Sequence, residues 1–204
     1  MSKNSSVHRR LALAAALALS VMVAPGPWAP QPARAAATCP EAQTADAAGA
    51  AFLNAGKSAS ASAFASALRA HTDMNQITMF ALGKYRSQLD SGRQAELVNL
   101  TSSYVATTLA DFALKFRGSA IKAIECRGGT VVSRMEFLGK PAKRVQWRIS
   151  GGKVTDVNIQ NVWLAQLLRD NFNTIITQGG GKVDALYAKL GGGRGKSGVE
   201  VGNK

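Results

Sequence analysis

Few residues in this chain have the type and spacing to do chemistry. His71 and Asp73 stand two apart and are of the kind that serve as general base and orienting carboxylate. They also sit where a helix begins, so the expectation is that they act as a helix cap and its exposed neighbour. No Gly-x-Ser-x-Gly turn and no paired carboxylates occur, and the chain is not expected to be an enzyme. Gly195-Lys196-Ser197 has the ending of a phosphate-binding loop, but that pattern needs an earlier glycine where Leu190 stands, and no strand pattern leads into it. Asn99-Leu100-Thr101 matches a glycosylation sequon inside a helical pattern and is read as chance. Cys39 and Cys126, with His71, make no zinc-ligand spacing, so neither metal nor cofactor is expected.

Which compartment the chain occupies decides what the cysteines do. Lys3, Arg9 and Arg10 precede an apolar run over residues 11–24, Pro25-Gly26-Pro27 breaks it, and Ala33-Arg34-Ala35 and Ala35-Ala36-Ala37 fit small-residue cleavage sites. These are the parts of a secretory signal peptide, expected over residues 1–37 and removed after export. The run is short of the roughly 20 residues a spanning helix needs. A periplasmic location follows, and there Cys39 and Cys126 are expected to pair as a disulfide, the alternative being two separate thiols.

The chain carries 25 basic and 12 acidic residues. Lys3, Arg9, Arg10 and Arg34 fall in the leader, so the mature chain holds 21 bases against 12 acids, a charge of +9. Export and the scatter of the charges argue against nucleic acid. An anionic headgroup or transient contact with a membrane surface suits diffuse positive charge better, beside the plain reading of a solvated basic surface.

The elements that must position any site follow from periodicity. Residues 41–70 are rich in Ala and Ser, with Ala47, Ala50, Ala51, Phe52, Phe64 and Leu68 at helical spacing, and Gly56 and Ser58 suggest two short helices. A third, capped by Thr72 or Asp73, carries Ile77, Phe80 and Ala81 inward and ends at Gly83. From Ser91 a helix of about 25 residues presents Leu97, Leu100, Tyr104, Leu109, Phe112 and Phe116 and stops at Gly118.

The period then becomes two. Val131, Ser133, Met135 and Phe137 share a face, as do Val145, Trp147 and Ile149, and Thr155, Val157 and Ile159 follow. Gly128-Gly129, Gly139-Lys140-Pro141 and Gly151-Gly152 mark the turns of a four-stranded antiparallel meander. A helix after Asn161 carries Trp163, Leu164, Leu167, Leu168, Phe172, Ile175 and Ile176, and a short last helix carries Val183, Leu186 and Leu190. The order predicts an α+β fold, with helices covering one face of a twisted four-stranded antiparallel sheet, one domain over 38–190 and a flexible Gly-rich tail over 191–204.

Ala81-Leu82-Gly83-Lys84-Tyr85-Arg86 followed by Ser91-Gly92-Arg93-Gln94-Ala95-Glu96-Leu97 resembles the helix junction of the MlaC, or toluene-tolerance, family. Val145-Gln146-Trp147-Arg148-Ile149, then residues 152–159 ending Asp156-Val157-Asn158-Ile159, then Leu168-Arg169-Asp170-Asn171-Phe172 with Gly179-Gly180, resemble that family's most distinctive stretch. The likeness covers roughly residues 73–190. One departure stands out: Asn161-Val162-Trp163-Leu164 replaces a Gly-Val-Ser-Leu type sequence, and Trp163 in place of a small residue would reshape a pocket.

The resemblance implies a periplasmic, monomeric, non-catalytic carrier. Such a carrier holds phospholipid acyl chains in an apolar cavity and shuttles them between an outer-membrane lipoprotein complex and an inner-membrane ABC transporter complex. A hopanoid-associated carrier and an adaptor that binds only proteins are the alternatives. On this reading the cavity is lined from the sheet by Met135, Phe137, Trp147, Ile149, Val157 and Ile159, and from the helices by Tyr104, Phe112, Phe116, Trp163, Leu167 and Phe172. The periodicity alone is equally that of an ordinary core. Arg86, Arg144 and Arg148 are available to a phosphate at the mouth, although the last two project from the polar face of their strand.

Overall fold

A computed structural model describes residues 38–116, 120–137 and 139–192. The expected leader, the stop at Gly118 and residues 193–204 of the expected tail lie outside these residues, while Gly191 still belongs to the last helix. Among the described residues, no helix is long and apolar enough to cross a membrane.

Helix α1 spans Pro40–Ser58. Pro40 sets the helical φ of the first turn, and Glu41 and Lys57 suit the two ends of the dipole. Gly56 does not break it and is buried inside it, so the first helix is longer than its glycine suggested. Helix α2 spans Ala61–His71, with the Ser60 hydroxyl accepting from Ala63 N at 3.4 Å. Helix α3 spans Met74–Leu82 and is capped by Asp73, whose Oδ1 accepts from Gln76 N at 2.9 Å. Phe80, expected inward, is 46% exposed on this helix, with the Arg169 guanidinium 5.4 Å from its ring centre.

Helix α4 spans Gln94–Asp111, and the long helix expected here is thereby shortened. Its ends tighten into 3-10 turns at Ser91–Arg93 and Ala113–Phe116. Helices α5, Leu164–Gln178, and α6, Asp184–Gly191, follow the sheet among the described residues.

The sheet is a simple meander of β1 Ala120–Arg127, β2 Thr130–Phe137, β3 Lys140–Ser150, β4 Lys153–Ile159 and β5 Val162–Trp163. It has five strands rather than the expected four. Gln160 and Asn161 both adopt positive φ, 54° and 66°, the backbone of a type I′ hairpin turn. The Asn161 amide donates to Asn158 Oδ1 at 3.1 Å, and Val162 and Trp163 pair with Ile159 and Asn158 before α5 begins. Asn161 therefore turns a hairpin rather than starting a helix. The sequence hides this because the helical stripe of α5 continues the apolar Val162-Trp163 without a break.

Among the described residues the interior is two apolar clusters. One lies among the helices and includes Phe64, Leu68, Ile77, Leu82, Leu97 and Phe172. The other lies between α1 and the sheet. Phe52 of α1 packs against both.

Contact between α1 and the sheet depends on small residues. Ala42, Ala45 and Ala48 are buried on the face toward the strands, whereas Ala47 and Ala50, named for their helical spacing, are exposed. A Cβ on Gly49 would stand 2.5 Å from the Ile121 Cγ2 methyl, inside any real carbon–carbon approach. Polar contacts hold the same edge. The β1 ladder slips between Ala123 and Glu125, and Asp46 of α1 takes up Ala123 N at 2.7 Å and Lys122 Nζ at 3.0 Å. Cys39, at the start of α1, is bonded to Cys126 near the end of β1, with the Cα atoms 6.5 Å apart.

Two outcomes test this edge. Gly49→Ala is expected to cost about 1–3 kcal/mol of stability in urea denaturation, since the added methyl overpacks a β-branched neighbour, against the roughly 1 kcal/mol that helix propensity alone would gain. Ala47→Gly on the exposed face should lose only about that propensity term. The cross-link closes a loop with a sequence separation of 87, so reducing it should lower stability by about 4–5 kcal/mol in the chain-entropy model. Mass measurement after alkylation, with and without reductant, reports the bond itself.

Candidate functional site

The apolar face of the sheet is built by strand alternation and read through the register. Val145, Trp147 and Ile149 of β3 oppose Ile159, Val157 and Val154 of β4, the last after a one-residue slip between Arg148 and Ile149. On the other side Val145 and Trp147 oppose Ser133 and Val131, and Met135 opposes Ile121 of β1. Residues directly opposite share a face, so these side chains form one continuous surface. Its one polar pair is satisfied internally: Trp147 Nε1 donates to Ser133 Oγ at 2.9 Å.

Burial across that surface is uneven. Val131, Met135, Val145, Trp147 and Val154 are buried, while Ile121, Phe137, Ile149, Val157 and Ile159 pack against them only half-buried. The cause lies in α1, which offers methyl groups and a glycine where a bulky helix would cover the sheet. Large apolar side chains on a two-layer face are usually buried by equally large partners. Here a strip of branched and aromatic side chains keeps surface to spare, and an extended hydrocarbon is the kind of group it can take in.

The expected lining divides accordingly. Met135, Phe137, Trp147, Ile149, Val157 and Ile159 do come together on this face. Two of the helical contributors belong instead to the helical cluster. Phe172 is fully buried in the helical cluster, and Tyr104 lies half-buried at its rim, where burial raises the phenol's pKa. Phe112 and Leu167 are half-buried, and the Phe116 side chain is outside the described residues. The reason is topological: α4 packs on α2, α3 and α6, so the helix facing the sheet is α1. Ala42, Ala45, Ala48, Gly49, Phe52 and Ile121 are the residues that sequence reasoning missed. Their signal was available in the three-residue spacing of the small residues Ala42, Ala45 and Ala48.

Trp163 also leaves the expected lining. It pairs with Asn158, whose side chain belongs to the opposite, polar face, and the Arg148 guanidinium carbon stands 3.9 Å over its ring. The tryptophan thus closes the outer side of the sheet and does not narrow the apolar strip. Arg148 is held there by Asp156, with Nη1 to Oδ2 at 3.2 Å, and Arg144 lies 3.7 Å from Glu125 on the same face.

Asp156 is the buried centre of this polar side. Its Oδ1 accepts from Ala165 N, in the first turn of α5, at 3.0 Å and from Val157 N at 2.9 Å. Helix α5 has no cap of its own, so a strand carboxylate caps it from outside the helix. Burial holds the Asp156 carboxyl above the ordinary aspartate range, against the pull of those two amides and of Arg148. A raised value makes the group's contribution to stability full below the ordinary aspartate pKa and lost as pH rises through the folded one.

His71 ends α2, and the Asp73 carboxylate caps α3. Among the described residues, no three His, Cys, Asp or Glu side chains gather as a metal site.

Against known proteins, the family model described as MlaC protein matches residues 48–191. No curated protein matches the sequence. Among solved structures, a phospholipid-binding protein from Ralstonia solanacearum, determined in complex with a phospholipid, shares the fold at a TM-score of 0.58 and 20% sequence identity. The alignment covers 74% of this chain and 94% of that one.

Removing the Asp156 side chain tests the external cap. Asp156→Ala leaves the Ala165 amide unpaired and is expected to cost about 2–3 kcal/mol in denaturant unfolding at neutral pH. Asp156→Asn keeps an acceptor and removes a buried charge, and should cost less than about 1 kcal/mol. Equal losses in both variants would mean that the cap is not what the carboxylate supplies.

Proposed function

Since the chain belongs to the MlaC family, we propose that it is a non-catalytic periplasmic carrier of phospholipid, holding acyl chains against the apolar face of its sheet. The observation that carries this reading is the half-buried strip of Ile149, Val157 and Ile159 on β3 and β4, with Phe137 half-buried at the end of β2, beneath a helix of alanines. Each methylene moved from water onto such a surface is worth about 0.8 kcal/mol, so two chains bind with few polar contacts. The headgroup can remain in water. The Ralstonia solanacearum structure, with its bound phospholipid, supports the same occupant on a related fold.

The carrier collects and delivers lipid between an outer-membrane lipoprotein complex and an inner-membrane ABC transporter complex, as a cleaved, exported monomer. Its mature charge of +9, from 21 bases and 12 acids, favours brief encounters with anionic membrane surfaces. Opening the strip to a lipid requires α1 to shift on the sheet. The bond between Cys39 and Cys126 and the Asp46 contacts keep that helix attached along β1 while the far strands are uncovered.

Protein purified without detergent and sprayed under native conditions should carry phospholipid, or take it up from vesicles. Ile159→Asp, which sets a charge on the strip beside the β4–β5 turn, is expected to reduce the bound lipid several-fold while circular dichroism stays unchanged, because a carboxylate is costly against hydrocarbon. Wild-type protein that neither retains nor acquires phospholipid would remove the basis for the carrier reading.

A further inference from the structure

A cleft of about 620 Å³ lies where the helices meet the sheet, bounded by the end of α2, the first turn of α3, the middle of α4 and the start of β4. Its volume falls in the range of small-molecule sites. Sequence reasoning gave this place no role beyond a helix cap. Thr72 and Asp73 pass directly into the sheet here: Thr72 bridges Val154, and Asp73 N donates to the Val154 carbonyl at 2.8 Å.

Several donors around the cleft have capacity to spare, beside the Asn75, Asn99, Ser102 and Ser103 side chains that also line it. Thr72 is 8% exposed, and its hydroxyl has no hydrogen-bond partner among the described residues. A buried hydroxyl left unpaired is uncommon and points to a missing partner. Met74 and Asn75 occupy the first two positions of α3, and Asp73 caps only Gln76 N, so their amides have no partner within the helix. Arg69 is exposed and forms no ion pair among the described residues. Lys153 donates one proton to the Ala70 carbonyl and keeps two others. Helix amides, a guanidinium, an ammonium and a hydroxyl together suit a phosphate. Asp73 keeps free acceptor capacity beside them, which suits a hydroxyl carried by the same ligand.

We propose that this cleft binds a phosphodiester bearing a hydroxylated substituent. Arg69 and Lys153 meet the charge, Thr72 and the first α3 amides donate to the phosphate oxygens, and Asp73 accepts from the substituent. A soluble glycerophosphodiester and the headgroup of a phospholipid share this chemistry. The second source rests on the carrier reading above.

Calorimetric titration of the mature protein with glycerophosphoglycerol and, separately, with short-chain phosphatidylglycerol distinguishes them. Saturable binding of glycerophosphoglycerol is expected, weakened about tenfold or more by Arg69→Glu and retained by Arg69→Lys and by Arg127→Glu on β1. Absence of saturable binding, or binding indifferent to Arg69→Glu, overturns the proposal, even if phospholipid still binds and the carrier reading stands. If the soluble phosphodiester binds through Arg69 while phospholipid of any chain length fails to bind, the cleft is a site for soluble phosphodiesters and the carrier reading falls alone.

Discussion

The buried carboxylate of Asp156 is the constraint from which the arrangement of sheet and helices follows. It projects from the polar side of β4, where a charge is tolerable only if several donors surround it. The chain supplies Arg148 from β3 and the Ala165 amide from α5. Those two partners fix the height and direction at which α5 leaves the sheet. The type I′ turn at Gln160-Asn161 and the short β5 serve the same end, because they reverse the chain within a few residues of the carboxylate. Trp163 then stacks on the Arg148 guanidinium and steadies it beside the carboxylate. With α5 so directed, Phe172 and Ile176 enter the helical cluster, and that cluster is kept off the sheet's other face.

The opposite face is thereby left to α1, whose composition suits a cover that must lie close and still give way. Alanine and glycine bring a helix near a sheet and bury little area per residue. Buried Ala42, Ala45 and Ala48 contribute only a methyl group each to the contact with the strands. The stronger attachments, the disulfide and Asp46, gather along β1. Adhesion is therefore concentrated at one edge, and the strip from Ile149 to Ile159 lies away from it.

Much of this was legible in the sequence, and the failures have a common physical origin. Period-two alternation placed Val145, Trp147 and Ile149 on one face, and the register agrees. Asp73 as a cap, Gly83 as a helix end and the glycine hairpins required only local geometry, and local geometry is what sequence encodes directly. The choice of which helix covers the sheet is not local. The stripe on α4 is larger and more apolar than the alanine face of α1, so hydrophobicity ranked them in the wrong order. Trp163 was misplaced for a related reason: an apolar residue next to an apolar helix reads as part of it, and only the positive φ of two preceding residues shows that it belongs to a strand. Thr72 and Asp156 could be quoted from the sequence, but their burial could not.

A carrier faces a thermodynamic restriction that this division of the interior answers. Lipid tails leave a bilayer for the protein and return, and both surroundings are apolar, so the large transfer energy from water cancels over the cycle. What remains is the difference between protein and bilayer, and it must stay small for loading and release to occur in turn. A face covered by bulky, interdigitating side chains would make that difference large, since a lipid would have to displace a well-packed interior. A face under alanine loses little when the helix shifts, and a half-exposed strip gains when hydrocarbon replaces water. The helical cluster can hold the fold together throughout, because α1 contributes to it only Ala55 and the flanking Phe52, and its other members lie outside the helix that shifts.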